Sequence, residues 1–178
     1  MYIKLGNIPS GTAMHTCGGV SNLHGESKEM RISIVYDNET KNPELRADWG
    51  FSCLIEVKDS PKILFDTGAS GVILRHNLKI LGFNLNDIGI VIISHAHGDH
   101  TGGLYDVMEA NPDAELYLPQ SWKGGVSAKK ITRVAEPLEI RHNVFTTGEI
   151  DGIEQSLVIN TDKGDLVVVG CSHPGVSS

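Results

Sequence analysis

A continuous apolar run, IGIVIIS over 88–94, ends directly on HAHGDHTGG over 95–103. A short apolar run without alternation is the pattern of a strand covered on both faces. The histidines therefore stand at the mouth of a buried strand. Four metal-ligand types fall within six residues: His95, His97, Asp99 and His100. Two apart in an extended segment, His95 and His97 project to one side. Neutral imidazole nitrogens bind a borderline-soft cation at about 2.0–2.1 Å, and a carboxylate compensates its charge. Past the small Gly98, Asp99 and His100 can turn toward a second cation. A surface histidine-rich loop, or Asp99 or Thr101 as a helix N-cap, accounts for one acidic residue but not for three histidines at this place.

The rest of the chain predicts a layered α/β (α+β) domain. MRISIVYD (30–37) alternates as a strand with Ile32, Ile34 and Tyr36 on one face. GFSCLIEV (50–57) and KILFD (62–66) flank the turn Asp59-Ser60-Pro61 and predict a β-hairpin. Leu74, Leu78 and Leu81 follow helical spacing between a capping Ser70 and Gly82, so a helix is expected over 70–81. Leu104, Val107 and Met108 mark a short helix stopped near Asn111-Pro112, and AELYLP (114–119) a strand. A second hairpin is expected from 155–161 and 165–171, while 120–142 is weakly patterned and basic from Lys123 to Arg141. That basic tract reads as a solvated face, with an anion-steering rim as the alternative. Residues 1–29, glycine-rich and without a sustained period, are expected to form a loose extension to a domain over 30–178.

Composition narrows the class. The 178 residues are 40% apolar and 21% charged, enough for one real core, and the net charge of −7 argues against broad nucleic-acid binding. No apolar run approaches the roughly 18 residues of a membrane span, and the N-terminus lacks the apolar core of a secretory signal. Cys17, Cys53 and Cys171 are too few and scattered for a disulfide framework, so a reducing, cytoplasmic setting is expected. His173, in GCSHPG at the exit of a strand, fits as a further imidazole from a distant part of the chain. Cys171 could instead supply a thiolate, with His173 preferred. His15, His24, His76 and His142 have no ligand-like spacing, and His76 is expected to be exposed on its helix.

SHAHGDHTGG after an apolar strand, with LFDTGAS about thirty residues earlier, resembles the metallo-β-lactamase fold superfamily. ADWGFSCLIE, ILFDTGAS, SHAHGDHTGGL and VVVGCSHPGV together resemble a subfamily of metal-dependent hydrolases, the dihydropterin–ribofuranosylaminobenzene phosphate synthase-like proteins. The resemblance covers about residues 30–176 and implies an αββα sandwich. It implies His95 and His97 on a first metal, Asp99 and His100 on a second, and Asp66 beneath the site, bonded to a ligand or backbone. A plain Asx-turn is the other reading of Asp66. The family pattern runs on past the GCSH-like segment, whereas this sequence stops at Ser178, so an incomplete sandwich is expected. Its second metal would lack a last ligand, unless early residues or another copy of the chain complete the fold. The activity implied is that of a metal-dependent hydrolase acting on an ester or phosphoester bond of a small molecule. One or two zinc ions, with iron or manganese as alternatives, would activate water that Asp99 orients or deprotonates. The alternatives are a transferase on a phosphorylated ribosyl or pterin substrate, and an inactive metal-binding remnant.

Overall fold

A computed structural model describes residues 2–5, 21–23 and 30–175, whose strands form two sheets. The smaller sheet contains β1 (Tyr2–Leu5), and the larger begins with β2 (Ser21–Leu23) and β3 (Met30–Tyr36). The larger sheet continues through β4 (Ser52–Val57), β5 (Lys62–Phe65), β6 (Ile88–Ile92), β7 (Glu115–Pro119) and β8 (Lys130–Val134), in that spatial order. Its pairs are antiparallel up to β5 and parallel from β5 to β8. The smaller sheet adds β9 (Leu138–Arg141), β10 (Val144–Thr146), β11 (Leu157–Thr161) and β12 (Gly164–Val169) in antiparallel order β1-β12-β11-β10-β9. Parallel neighbours require crossovers. Helix α1 (Gly71–Ile80) lies between β5 and β6, and the one-turn α2 (Gly98–Thr101) and α3 (Leu104–Ala110) lie between β6 and β7.

Two apolar cores stack in this fold. One joins Leu74, Leu78, Val107 and Met108 of the helices to Leu64, Val91, Ile93 and Leu116. The other joins Ile63, Phe65, Ile90 and Ile92 to Val144, Leu157, Ile159 and Val168 of the smaller sheet. The described residues thus form helix, sheet and sheet layers. The run 88–94 is unbroken because the successive side chains of Ile90, Val91, Ile92 and Ile93 enter opposite cores, and both are apolar.

The expected hairpin 50–66, helix 70–81 and second hairpin are present as β4–β5, α1 and β11–β12. Ser70 Oγ accepts from the Ile73 N–H, and Gly82 has φ +84°. Strand β3 departs from its expected pattern. Val35 and Ser33 are buried, Ile32 and Ile34 only half-buried, and the register slips between Ile34 and Tyr36. Because the sheet is covered on both faces, alternation could not single out one buried side. The weakly patterned 120–142 contains β8 and β9, whose positions are mostly exposed or half-buried and so leave little hydrophobic period. Within the stretch 1–29, β1 pairs with β12 and β2 with β3. The remainder of that extension lies outside the described residues. No described helix is long and apolar enough to cross a membrane.

Candidate metal centre

Three chain segments meet at the carboxyl ends of β5, β6 and β12, the edge where open sheets with parallel strands place their ligand sites. Strand β5 continues into Asp66, whose N–H donates to the Ile92 carbonyl at 2.8 Å, prolonging the pairing with β6. At φ +58° the chain then turns, leaving a fully buried carboxylate under the end of β6. Asp66 Oδ1 accepts the Ser94 N–H, and Oδ2 accepts the Ser94 hydroxyl and His100 Nδ1–H, each at 2.7 Å. Having donated to Asp66, the Ser94 hydroxyl accepts from His95 Nδ1–H at 2.9 Å. Both rings therefore carry their proton on Nδ1 and present a bare Nε2. One carboxylate thus sets the tautomers of two histidines, a task that metal-ligating imidazoles require of their neighbours.

The electrostatics agree. Burial raises the Asp66 carboxyl, against the lowering effect of its His100 and Ser94 bonds. Burial would lower His100, but the Asp66 bond and charge raise it. The proton of this pair stays on His100 Nδ1, because Ser94 already donates twice to the carboxylate. Burial first, and then the neighbouring imidazoles His100, His97 and His173, drive His95 down to about 3. It is neutral at physiological pH, as a ligand must be.

The second segment is α2. His97 caps it, and its carbonyl accepts from the His100 N–H at 3.0 Å. The Phe51 N–H donates to the Asp99 carbonyl at 3.2 Å, and the Thr67 N–H to the His100 carbonyl at 2.8 Å. Gly50, at φ +134°, lies so close to the Asp99 carbonyl that a Cβ would overlap its oxygen. Within the segment 95–103, residues 98–101 are therefore a helical turn fastened by its backbone.

The third segment leaves β12 through Gly170. Glu154, 1% exposed, accepts the N–H groups of Cys171, Ser172 and His173 at 2.9, 3.2 and 2.9 Å. The next residue, Gln155, donates from Nε2 to the Ile93 carbonyl at 2.8 Å and accepts from Thr146 Oγ1 at 2.6 Å, binding β6 to the smaller sheet. This arrangement sets His173 Nε2 at 3.3 Å from His95 Nε2, which is 3.0 Å from His97 Nδ1. His100 Nε2 lies 3.1 Å from Cys171 Sγ and 3.5 Å from Asp99 Oδ2. Tetrahedral bonds of about 2.0–2.1 Å separate nitrogen ligands by about 3.3–3.4 Å, so the three imidazoles fit one cation. His95 and His100 are buried, while His97, Cys171 and His173 are exposed, which leaves one side of the cluster open.

All seven residues singled out in the sequence, Asp66, His95, His97, Asp99, His100, Cys171 and His173, come together here. Cys171 and His173, read as alternatives, face different partners. His76 is half-buried, with Nε2 2.8 Å from the Glu44 carbonyl, rather than exposed as expected, and His142 is exposed. His15 and His24 lie outside the described residues. In the basic tract, Lys129 pairs with Asp113, and Lys130 and Arg141 with Glu115. Sequence reading missed Ser94, Glu154 and Gln155. Ser94, between the apolar run and His95, was within reach of the motif; nothing in GIEQS marks Glu154 as buried.

The family model of the metallo-beta-lactamase superfamily matches residues 50–171, and the chain belongs to that superfamily. Among curated proteins it is 29% identical, over 82% of this chain and 68% of the relative, to the 7,8-dihydropterin-6-methyl-4-(beta-D-ribofuranosyl)-aminobenzene-5'-phosphate synthase of Methanocaldococcus jannaschii. Among solved structures, a subclass B3 metallo-β-lactamase of Bradyrhizobium japonicum superposes with a TM-score of 0.50 at 19% identity, covering 67% of this chain and 55% of the other. A Cronobacter sakazakii metallo-β-lactamase variant gives 0.51 at 20% identity, covering 66% and 54%. These likenesses establish the fold. The chain spans little more than half the length of the solved structures it matches.

Proposed function

We propose that this chain is a metal-dependent hydrolase in which His95 Nε2, His97 Nδ1 and His173 Nε2 hold one cation, and Asp99 and His100 face an adjoining position. The observation that carries this reading is the convergence of three imidazole nitrogens at 3.0 and 3.3 Å. Zinc suits the three-imidazole donor set best, with iron or manganese as the alternatives for a histidine–carboxylate position. When bound, such an ion supplies activated water near neutral pH and polarises a carbonyl or phosphoryl oxygen. The protein's own residues do the rest. Asp66 and Ser94 keep the bare nitrogens of His95 and His100 turned inward. Asp99, half-buried beside the open side, orients the attacking water and accepts its proton. A small ester or phosphoester enters past His97 and His173, the exposed members of the cluster.

The test compares metal content and turnover of bis(p-nitrophenyl) phosphate in the wild type and in a His95→Ala, His97→Ala double variant. Loss of both metal and turnover is expected; a double variant that still turns over at the wild-type rate refutes the reading. One observation favours a second reading, transfer on a phosphorylated ribosyl or pterin substrate: the Methanocaldococcus relative is named a synthase of such a compound. Release of pyrophosphate or carbon dioxide instead of simple water addition would select it.

A further inference from the structure

Among the described residues, three large apolar side chains stand far more exposed than any other: Tyr105 at 74%, Trp49 at 69% and Val72 at 67%. They belong to three different segments, which glycines bring together around Ala69. A Cβ on Gly50 would lie 2.3 Å from the Asp99 carbonyl oxygen and 3.1 Å from the Ala69 nitrogen, and one on Gly102 would lie 2.1 Å from the Ala69 oxygen. Only glycine permits such approaches. Trp49 precedes Gly50, and Val72 and Tyr105 follow Ala69 and Gly102 by three residues, so all three rise from backbone within roughly 10 Å of Ala69. Gly50 meets Ala69 at its nitrogen and Gly102 at its oxygen, so the segments bearing Trp49 and Tyr105 stand to either side of it. Ala69 is itself exposed, and this small residue floors a shallow notch. The Trp49 side is firmly held. Asp48 accepts the Trp49 N–H at 2.8 Å and the Tyr36 hydroxyl at 3.0 Å, and Asn38 Oδ1 accepts the Gly50 N–H at 2.9 Å. Arg75 and Asp106, next to Val72 and Tyr105, pair with each other at 3.1 Å, which leaves no net charge there to attract an ion.

We propose that Trp49, Ala69, Val72 and Tyr105 form a subsite for a flat, uncharged aromatic ring, so that the substrate is an ester or phosphoester carrying an aryl group. The notch adjoins the metal centre, because Gly50 lies against both Ala69 and Asp99, and a molecule reacting at the metal reaches the notch with a short arm. Three such side chains expose roughly 400 Å² of mostly apolar surface, short of the roughly 800 Å² per partner of a stable protein interface and suited to one ring. Aromatic faces and edges favour a further ring over an aliphatic group of equal area. This rests on the metal-dependent hydrolase reading above.

The experiment compares p-nitrophenyl phenylphosphonate with p-nitrophenyl methylphosphonate on the zinc-loaded full chain, Trp49→Ala and Tyr105→Ala. Both esters lose the same p-nitrophenolate as water adds to phosphorus, so only the arm differs. The phenyl-over-methyl ratio of kcat/KM is expected to fall about tenfold in Trp49→Ala, through KM and at unchanged zinc content, and to recover in Trp49→Phe. Tyr105→Ala should lower the same ratio. Phenylphosphonate, and not methylphosphonate, should quench the indole fluorescence of the wild type but not that of Trp49→Ala. A ratio unchanged in both alanine variants, with zinc-dependent turnover intact, overturns the subsite and leaves the metal-centre reading standing. Sedimentation that shows a dimer dissociated by Trp49→Ala or Tyr105→Ala also overturns it, since a second copy then covers the notch. Absence of zinc binding together with no turnover of either ester overturns the reading and the subsite alike.

Discussion

Replacing Glu154 with glutamine tests whether a residue that touches no reacting group governs the metal centre. The carboxylate accepts three successive backbone N–H groups, two on Oε1 and one on Oε2. Glutamine keeps one acceptor oxygen and turns an amide NH2 toward the remaining donor or donors. Losing one charge-assisted bond costs about 1.5–3 kcal/mol, and the bonds that survive fall to the neutral range of about 0.5–1.5 kcal/mol each. Water reaches the exposed side of the 171–173 turn and recovers part of this loss, so a net effect of about 2–4 kcal/mol on the turn is expected. Since that turn aims His173, zinc affinity should fall by about 10–100-fold, the usual consequence of losing a partner that orients a ligand. The assay is zinc competition against a chromophoric chelator, with circular dichroism confirming the fold. A folded Glu154→Gln protein with wild-type zinc affinity would refute the reasoning.

Two further outcomes follow from the same structure. Zinc at about 1,000 times its dissociation constant should stabilise the protein by about 4 kcal/mol. For a chain of this size that raises Tm by about 8–16 °C, and a chelator should reverse it; a melting curve that ignores both contradicts a metal centre. Glu115 offers a pH test away from the centre. Desolvation would raise its carboxyl, but the bonds from Arg141, Lys130 and Tyr117 outweigh it and hold it at about 2. A depressed carboxyl stabilises above its unfolded value and loses that contribution as pH falls through the folded one. Urea unfolding should therefore find Glu115→Gln less stable at pH 7, by about 1 kcal/mol after solvent screening, with the gap closing between pH 4.5 and 2. A gap unchanged at pH 2 would refute the assignment.

Much of the fold was legible because its signals are local. The run 88–94 reads as a doubly covered strand, Ser70 and Gly82 mark the ends of α1, and the Asp59-Ser60-Pro61 turn marks the first hairpin. Strands β8 and β9 were not legible, because their mostly exposed or half-buried positions impose no hydrophobic period. Strand β3 was legible as a strand, but the alternation could not show which core each residue enters, because a strand with a core on each face has no single periodic side.

The candidate ligand set of His95, His97, Asp99 and His100 was legible in chain order, since donor type and a spacing within one turn need no distant partner to be read. Which nitrogen each buried ring presents, and where Cys171 and His173 go, were decided only by tertiary structure. Asp66 reaches Ser94 and His100 across about thirty residues, and Glu154 reaches the 171–173 turn from beyond a hairpin. Hydrogen bonds between buried groups depend on ångström-scale placement by two packed sheets, and that placement has no periodicity along the chain from which to infer it.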